Sequence, residues 1–158
     1  MRQIQVATRI DAPAPLVWQV LTDVEAYPSW NPLVVHLSGE LQEGARLNAQ
    51  IALPGRRPMT FRPTVQRVIS EQLFRWKGHL LVPGLFDGTH QFEVVPVGPS
   101  EVEFVHSEQF EGLLVPLVWR SLEAPTRAGF EAMNEALKVR VEKLFQIMQA
   151  DGSVVRVP

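Results

Sequence analysis

The chain has 158 residues, 46% of them hydrophobic and 20% charged, with a formal net charge of −2. That balance suits one folded domain with a substantial core, and it excludes a disordered chain or one carrying the cationic excess of a nucleic-acid binder. The absence of Cys also excludes disulfides, thiolate metal sites and thiol nucleophiles.

The N-terminal "MRQIQVATRI" lacks the apolar core of a secretory signal. No stretch approaches the roughly 18–20 apolar residues that span a bilayer. A soluble, cytoplasmic protein without stable membrane insertion is expected. Over residues 2–10, Ile4, Val6, Thr8 and Ile10 alternate with Gln3, Gln5 and Arg9, the pattern of a strand with one wet face. In "DAPAPLVWQVLTDVEAYPSW" the prolines suit a helix start, and Leu16, Val17, Val20 and Leu21 recur at helical spacing. Pro28 interrupts that pattern, which predicts a helix, a break and a short second helix ending near Trp30.

From Pro32 to Glu111 the period becomes two. "NAQIAL", "MTFRPTV" and "LFRWKGHL" each alternate, and turn signals such as "PGRRP", "PGLFDG" and "GPS" separate the runs. Pro63 inside "MTFRPTV" marks an edge or a bulge. About six consecutive strands predict an antiparallel meander, about seven with the first. At the end, Phe130, Met133, Leu137, Val141, Leu144 and Met148 form a helical stripe over residues 126–149. Such a helix would be about 36 Å long. "LLVPLVWRSLEAP" before it contains two prolines and reads as a loop plus a short or broken helix. Asp151 and Gly152 supply a stop, leaving a domain over 1–150 and a tail over 151–158. Strands grouped together beside one long helix give an α+β fold, with the helix stripe on the dry face of the meander.

Polar residues interrupt that dry face in one hairpin, residues 88–96 and 101–111. Its inward positions are Gly88, His90, Phe92, Val94 and Pro96, then Val102, Phe104, His106, Glu108 and Phe110. Aligned dry faces require paired residue numbers that sum to 198 or 200. Either register brings His90, His106 and Glu108 within direct or diagonal cross-strand reach. Three readings follow: a satisfied polar cluster that holds register, a polar end to an apolar pocket, or an acid–base site. The two His and one Glu lack the spacing signature of a metal site, and no glycine-rich phosphate loop is present. Ser107 points away from His106, which argues against a serine nucleophile.

Taken together, "ATRIDAPAPLVWQVLTDVEAYPSWNPLV", "GTHQFEVVP", "VEFVHSEQFEGLL" and "RAGFEAMNEALKVRVE" resemble the START-like SRPBCC superfamily, and within it the polyketide cyclase/dehydrase branch. The resemblance runs from Val6 to about Leu144. It implies a helix-grip fold, a seven-stranded sheet around the C-terminal helix with a cavity for hydrophobic ligands between them. It implies no single activity, since members include lipid carriers, hormone receptors and cyclases. The expected ligand contacts are Phe61, Trp76, Phe92, Phe110, Phe130, Met133 and Leu137, with His90, His106 and Glu108 as the polar end. The expected role is carriage or sensing of a lipid or polyketide-like metabolite, with no cofactor or metal. One alternative is a cyclase/dehydratase-type enzyme with His90 or His106 as general acid or base. Another is an interaction module using the 113–119 apolar patch, the chain being a monomer or weak homodimer. Trp30 is expected to plug one end of the fold or to border its entrance.

Overall fold

The computed structural model describes residues 1–152, so the expected tail lies outside the described residues beyond Gly152. The chain opens with β1 (Arg2–Ile10), then α1 (Ala14–Thr22), a 3-10 turn (Val24–Ala26) and the short α2 (Tyr27–Trp30). Seven strands follow: β2 (Val34–Ser38), β3 (Asn48–Ile51), β4 (Met59–Phe61), β5 (Thr64–Ile69), β6 (Leu73–His79), β7 (Asp87–Gly98) and β8 (Glu101–Glu111). A single helix, α3 (Val115–Ala150), ends the described chain. This is the expected α+β helix-grip order, with two short helices after the first strand.

The strand count differs from expectation, and Pro63 is the reason. "MTFRPTV" is not one strand. Pro63 has no N–H to donate and splits it into β4 and β5, which belong to different sheets. Eight strands result: a five-stranded antiparallel sheet in the order β1-β8-β7-β6-β5 and a three-stranded sheet β2-β3-β4. Backbone bonds from Leu47 N–H to the Pro63 carbonyl (2.8 Å) and from Val65 N–H to the Ala45 carbonyl (2.9 Å) tie the sheets together, beside a bridge between Arg46 and Thr64.

The second correction is at the other proline. Residues 113–125 are not a loop with a broken helix, because α3 runs unbroken through Pro125 for 36 residues, about 54 Å. A helical proline deprives the carbonyl four residues earlier of its donor and pushes it outward. Here that carbonyl belongs to Ser121, and the Arg56 guanidinium, reaching across from the β3–β4 loop, donates to it instead. The helix survives its proline because another element supplies the missing hydrogen bond.

The inward face of the five-stranded sheet packs on one side of α3. Ile4, Ile10, Phe74, Phe92, Phe104, Met133, Leu137 and Val141 are fully buried there. On the other flank, α3 meets the segment entering β2 at Gly129, where a Cβ would lie 2.8 Å from Leu33 Cδ1. The absence of a side chain sets how near the two can come. Trp119 is also buried, edge-on to Phe110 with ring centroids 5.7 Å apart, so the expected 113–119 patch reduces to its outward leucines.

Candidate functional site

The β7–β8 hairpin adopts the 198 register. His90 stands opposite Glu108, and Phe92 opposite His106. Trp76 on β6 faces His90 and stacks on it at 5.0 Å with 25° between the planes. On the far side Phe130 of α3 lies flat against His106, 3.8 Å between centroids at 10°. Aromatic surfaces thus hold both imidazoles in place, and hydrogen bonds set their protons.

Those protons follow from one amide. Asn134 of α3 approaches the Val6 carbonyl at 3.3 Å and Thr8 Oγ1 at 3.1 Å. A carbonyl can only accept, so the amide nitrogen faces it and Oδ1 faces His106 Nδ1 at 3.0 Å. His106 Nδ1 therefore carries a proton. Burial, the largest effect, and the neighbouring His90 hold the His106 pKa well below 6.5, against the smaller raising effect of Asn134. The ring is neutral, and its Nε2 is an acceptor. His90 lies 2.6 Å from that nitrogen through its own Nε2, so His90 is the donor of that bond. This leaves His90 Nδ1 3.4 Å from Glu108 Oε2. That separation is long for a hydrogen bond, and it leaves the Glu108 carboxylate at the end of the chain of polar groups. The chain from Thr8 through Asn134, His106 and His90 is thus oriented in one direction, and it ends at Glu108.

Glu108 opens onto a cavity of about 150 Å³ between α3 and the two sheets. A void of about that size can hold a benzene-sized molecule. Its walls include Phe61, Trp76, Phe86, Phe110 and Phe130, its inner polar groups are His90, Glu108 and Thr126, and Arg56, Arg57 and His79 border its mouth. Gly88, diagonal to Glu108, makes room for the carboxylate, since a Cβ there would collide with Oε1. Of the ten expected contacts, six line the cavity: Phe61, Trp76, His90, Glu108, Phe110 and Phe130. Phe92, His106, Met133 and Leu137 sit in the closed core beside it, and Trp30 lies on the outer side of α3. His106 has both ring nitrogens engaged, so it orients His90 and does not itself face the cavity.

Two residues went unnoticed in the sequence. Asn134 sits at a helix position that ordinarily reads as solvated, yet it is fully buried and sets the tautomers of both histidines. It falls one residue after Met133 on the helical stripe, and that placement was the available signal. Thr126 is buried against the cavity with its hydroxyl unpartnered. Among the described residues no group of three His, Asp or Glu side chains could hold a metal ion.

A long helix gripped by antiparallel sheets around an apolar cavity with a buried polar floor defines the START-like helix-grip class of ligand-binding domains. The chain belongs to the family described as "Polyketide cyclase / dehydrase and lipid transport", whose profile matches residues 1–142. Proteins of this family bind small hydrophobic ligands. Three solved structures show the same fold. The Zhui aromatase/cyclase from Streptomyces sp. R1128 has a TM-score of 0.74 at 17% identity, over 90% of this chain and 94% of that one. A START superfamily protein from Mycobacterium smegmatis has a TM-score of 0.71 at 20% identity, over 90% and 98%. A norcoclaurine synthase from Thalictrum flavum has a TM-score of 0.69 at 18% identity, over 90% and 94%. At such identities the likeness concerns the fold alone. No curated protein matches the chain in sequence.

Proposed function

We propose that the protein binds a small, ring-containing apolar molecule bearing one hydroxyl, as a carrier or sensor, with that hydroxyl donating to Glu108. The observation that carries this reading is the Glu108 carboxylate, 3.4 Å from His90 Nδ1, at the floor of an otherwise aromatic cavity. A carboxylate accepts from a hydroxyl, and the rings around it fix the ligand's apolar part. Calorimetric titration with 2-naphthol and with naphthalene tests this. Glu108→Gln should weaken 2-naphthol by about tenfold, the value of one hydrogen bond to a charged group, and leave naphthalene unchanged. Equal losses for both, or none, would remove Glu108 from ligand recognition.

A second reading is supported by the orientation of the relay. A general acid or base must exchange its proton with the substrate, and here only Glu108 ends the chain with an oxygen toward the cavity. In a cyclase- or dehydratase-type reaction Glu108 would take a proton from carbon next to a carbonyl and return it to oxygen, with His90 stabilising the change in charge. Proton–deuteron exchange at the carbons flanking the carbonyl of 2-tetralone, followed by NMR, separates the two. Acceleration that Glu108→Gln abolishes favours catalysis, whereas exchange at the solvent rate favours binding alone.

A further inference from the structure

At the mouth of the cavity two loops stand out from the fold side by side. The β6–β7 loop contains "LLVPGLF", residues 80–86, and the segment entering α3 reads "GLLVPLVW", residues 112–119; neither contains an ionisable side chain. They are clipped together by backbone bonds from Leu113 N–H to the Gly84 carbonyl (3.2 Å) and from Leu114 N–H to the Leu85 carbonyl (3.0 Å). Their outward side chains are Leu81, Val82, Leu113 and Leu117, exposed by 77%, 56%, 80% and 79%. Folding gains nothing from these positions. Leu81 even sits at φ +68°, a left-handed conformation that is strained for leucine and that Asn or Gly would take more easily.

Cations outnumber acids beside this tip. Arg56 and Arg57 stand at the same cavity mouth, and Arg120 lies on the outward face of α3 one turn after Leu117. The nearest acids at the base of the loops, Asp87 and Glu111, are both paired with Lys77, at 3.5 and 3.8 Å. An apolar tip with a cationic collar matches an anionic bilayer surface, in which leucines enter the acyl boundary and arginines meet lipid phosphates. A second copy of the chain fits less well, because a two-fold contact through this tip would set the arginine collars against each other.

We infer that the 80–86 and 112–117 loops form a peripheral membrane-docking tip for anionic lipid surfaces, which sets the mouth of the ligand cavity against the bilayer. The docking needs no ligand, so it stands or falls apart from the binding reading above. Flotation with vesicles of phosphatidylcholine, with and without phosphatidylglycerol, provides the test. The protein should float with the anionic vesicles and bind less well as salt rises. Leu113→Asp and Leu117→Asp should each weaken binding by about tenfold, and Arg57→Gln by about fivefold. Leu81→Asn is the sharpest variant: it should weaken vesicle binding while raising the thermal midpoint, because it relieves the left-handed leucine. Affinity for 2-naphthol in solution should persist in the three leucine variants. No flotation with either vesicle, or flotation unchanged in folded leucine variants, would overturn the inference. So would a dimer in sedimentation equilibrium that Leu117→Asp dissociates, with no vesicle affinity in the parent protein.

Discussion

Helix α3 meets its surroundings in two different ways along its length. From Phe130 to Val141 it lies directly on the sheet: Phe130 stacks on His106, and Met133, Asn134, Leu137 and Val141 are buried without space around them. Around Leu122 and Thr126, beyond the Trp119–Phe110 contact, it borders the cavity instead. The two halves share one helix and one hairpin, and the polar relay joins them. Its closed end is Asn134, where every side-chain polar atom has a partner, and its open end is Glu108, which lines the cavity. A polar group satisfied by the protein itself serves structure; one that faces the cavity is available to a ligand. The same three residues, His90, His106 and Glu108, therefore fall on both sides of that division.

Phe130 separates the halves, so Phe130→Ala should have the largest effect. It should cost about 3–5 kcal/mol in urea unfolding and merge the cavity with the space beside His106. A loss below about 1 kcal/mol would mean that the closed half is not close-packed. Asn134→Leu should follow, at about 2–3 kcal/mol, because it strands the buried His106 N–H and removes the bond to the half-buried Val6 carbonyl. It should also disturb naphthol binding through the freed histidines, which a purely structural asparagine would not do.

The closed half also carries a pH signature. His106 is neutral when folded, with its pKa held below 6.5 by burial, while in the unfolded chain it protonates near 6.5. The unfolded state therefore binds the extra proton first. The stabilising contribution is complete above about pH 6.5 and is lost as pH falls toward the folded pKa, with a limiting slope of about 1.4 kcal/mol per pH unit. His106→Phe should flatten the profile over that range, and an unchanged profile would place the titration elsewhere. The smallest effect belongs to the open half. Arg56→Met should cost under about 1 kcal/mol through the Ser121 carbonyl, and less again in a Pro125→Ala background, where the helix supplies its own N–H. Equal costs in both backgrounds would show that the guanidinium does not replace the proline's missing bond.

Alternation along "GTHQFEVVP" and "VEFVHSEQF" was sufficient to bring His90, His106 and Glu108 onto one face and to limit the hairpin to two registers, one of which the structure adopts. The two prolines act differently from each other. At Pro63 local chemistry prevailed and ended a strand. At Pro125 it was overruled, because Arg56, distant in sequence, satisfies the carbonyl that proline orphans. Asn134 escaped notice for a similar reason: its partners Val6, Thr8 and His106 come from two separate strands.

By itself, then, the sequence determined which side chains share a face, the order of the elements and the family they compose, since period and turn chemistry are properties of neighbours along the chain. Only the tertiary structure decided where α3 touches the sheet and where it stands off. That distance depends on the volumes of facing side chains, on Gly129 against Leu33 and on a second sheet behind Pro63, none of which are neighbours in sequence. The open half of the grip, and with it the role of Glu108, exists only once those distances are set.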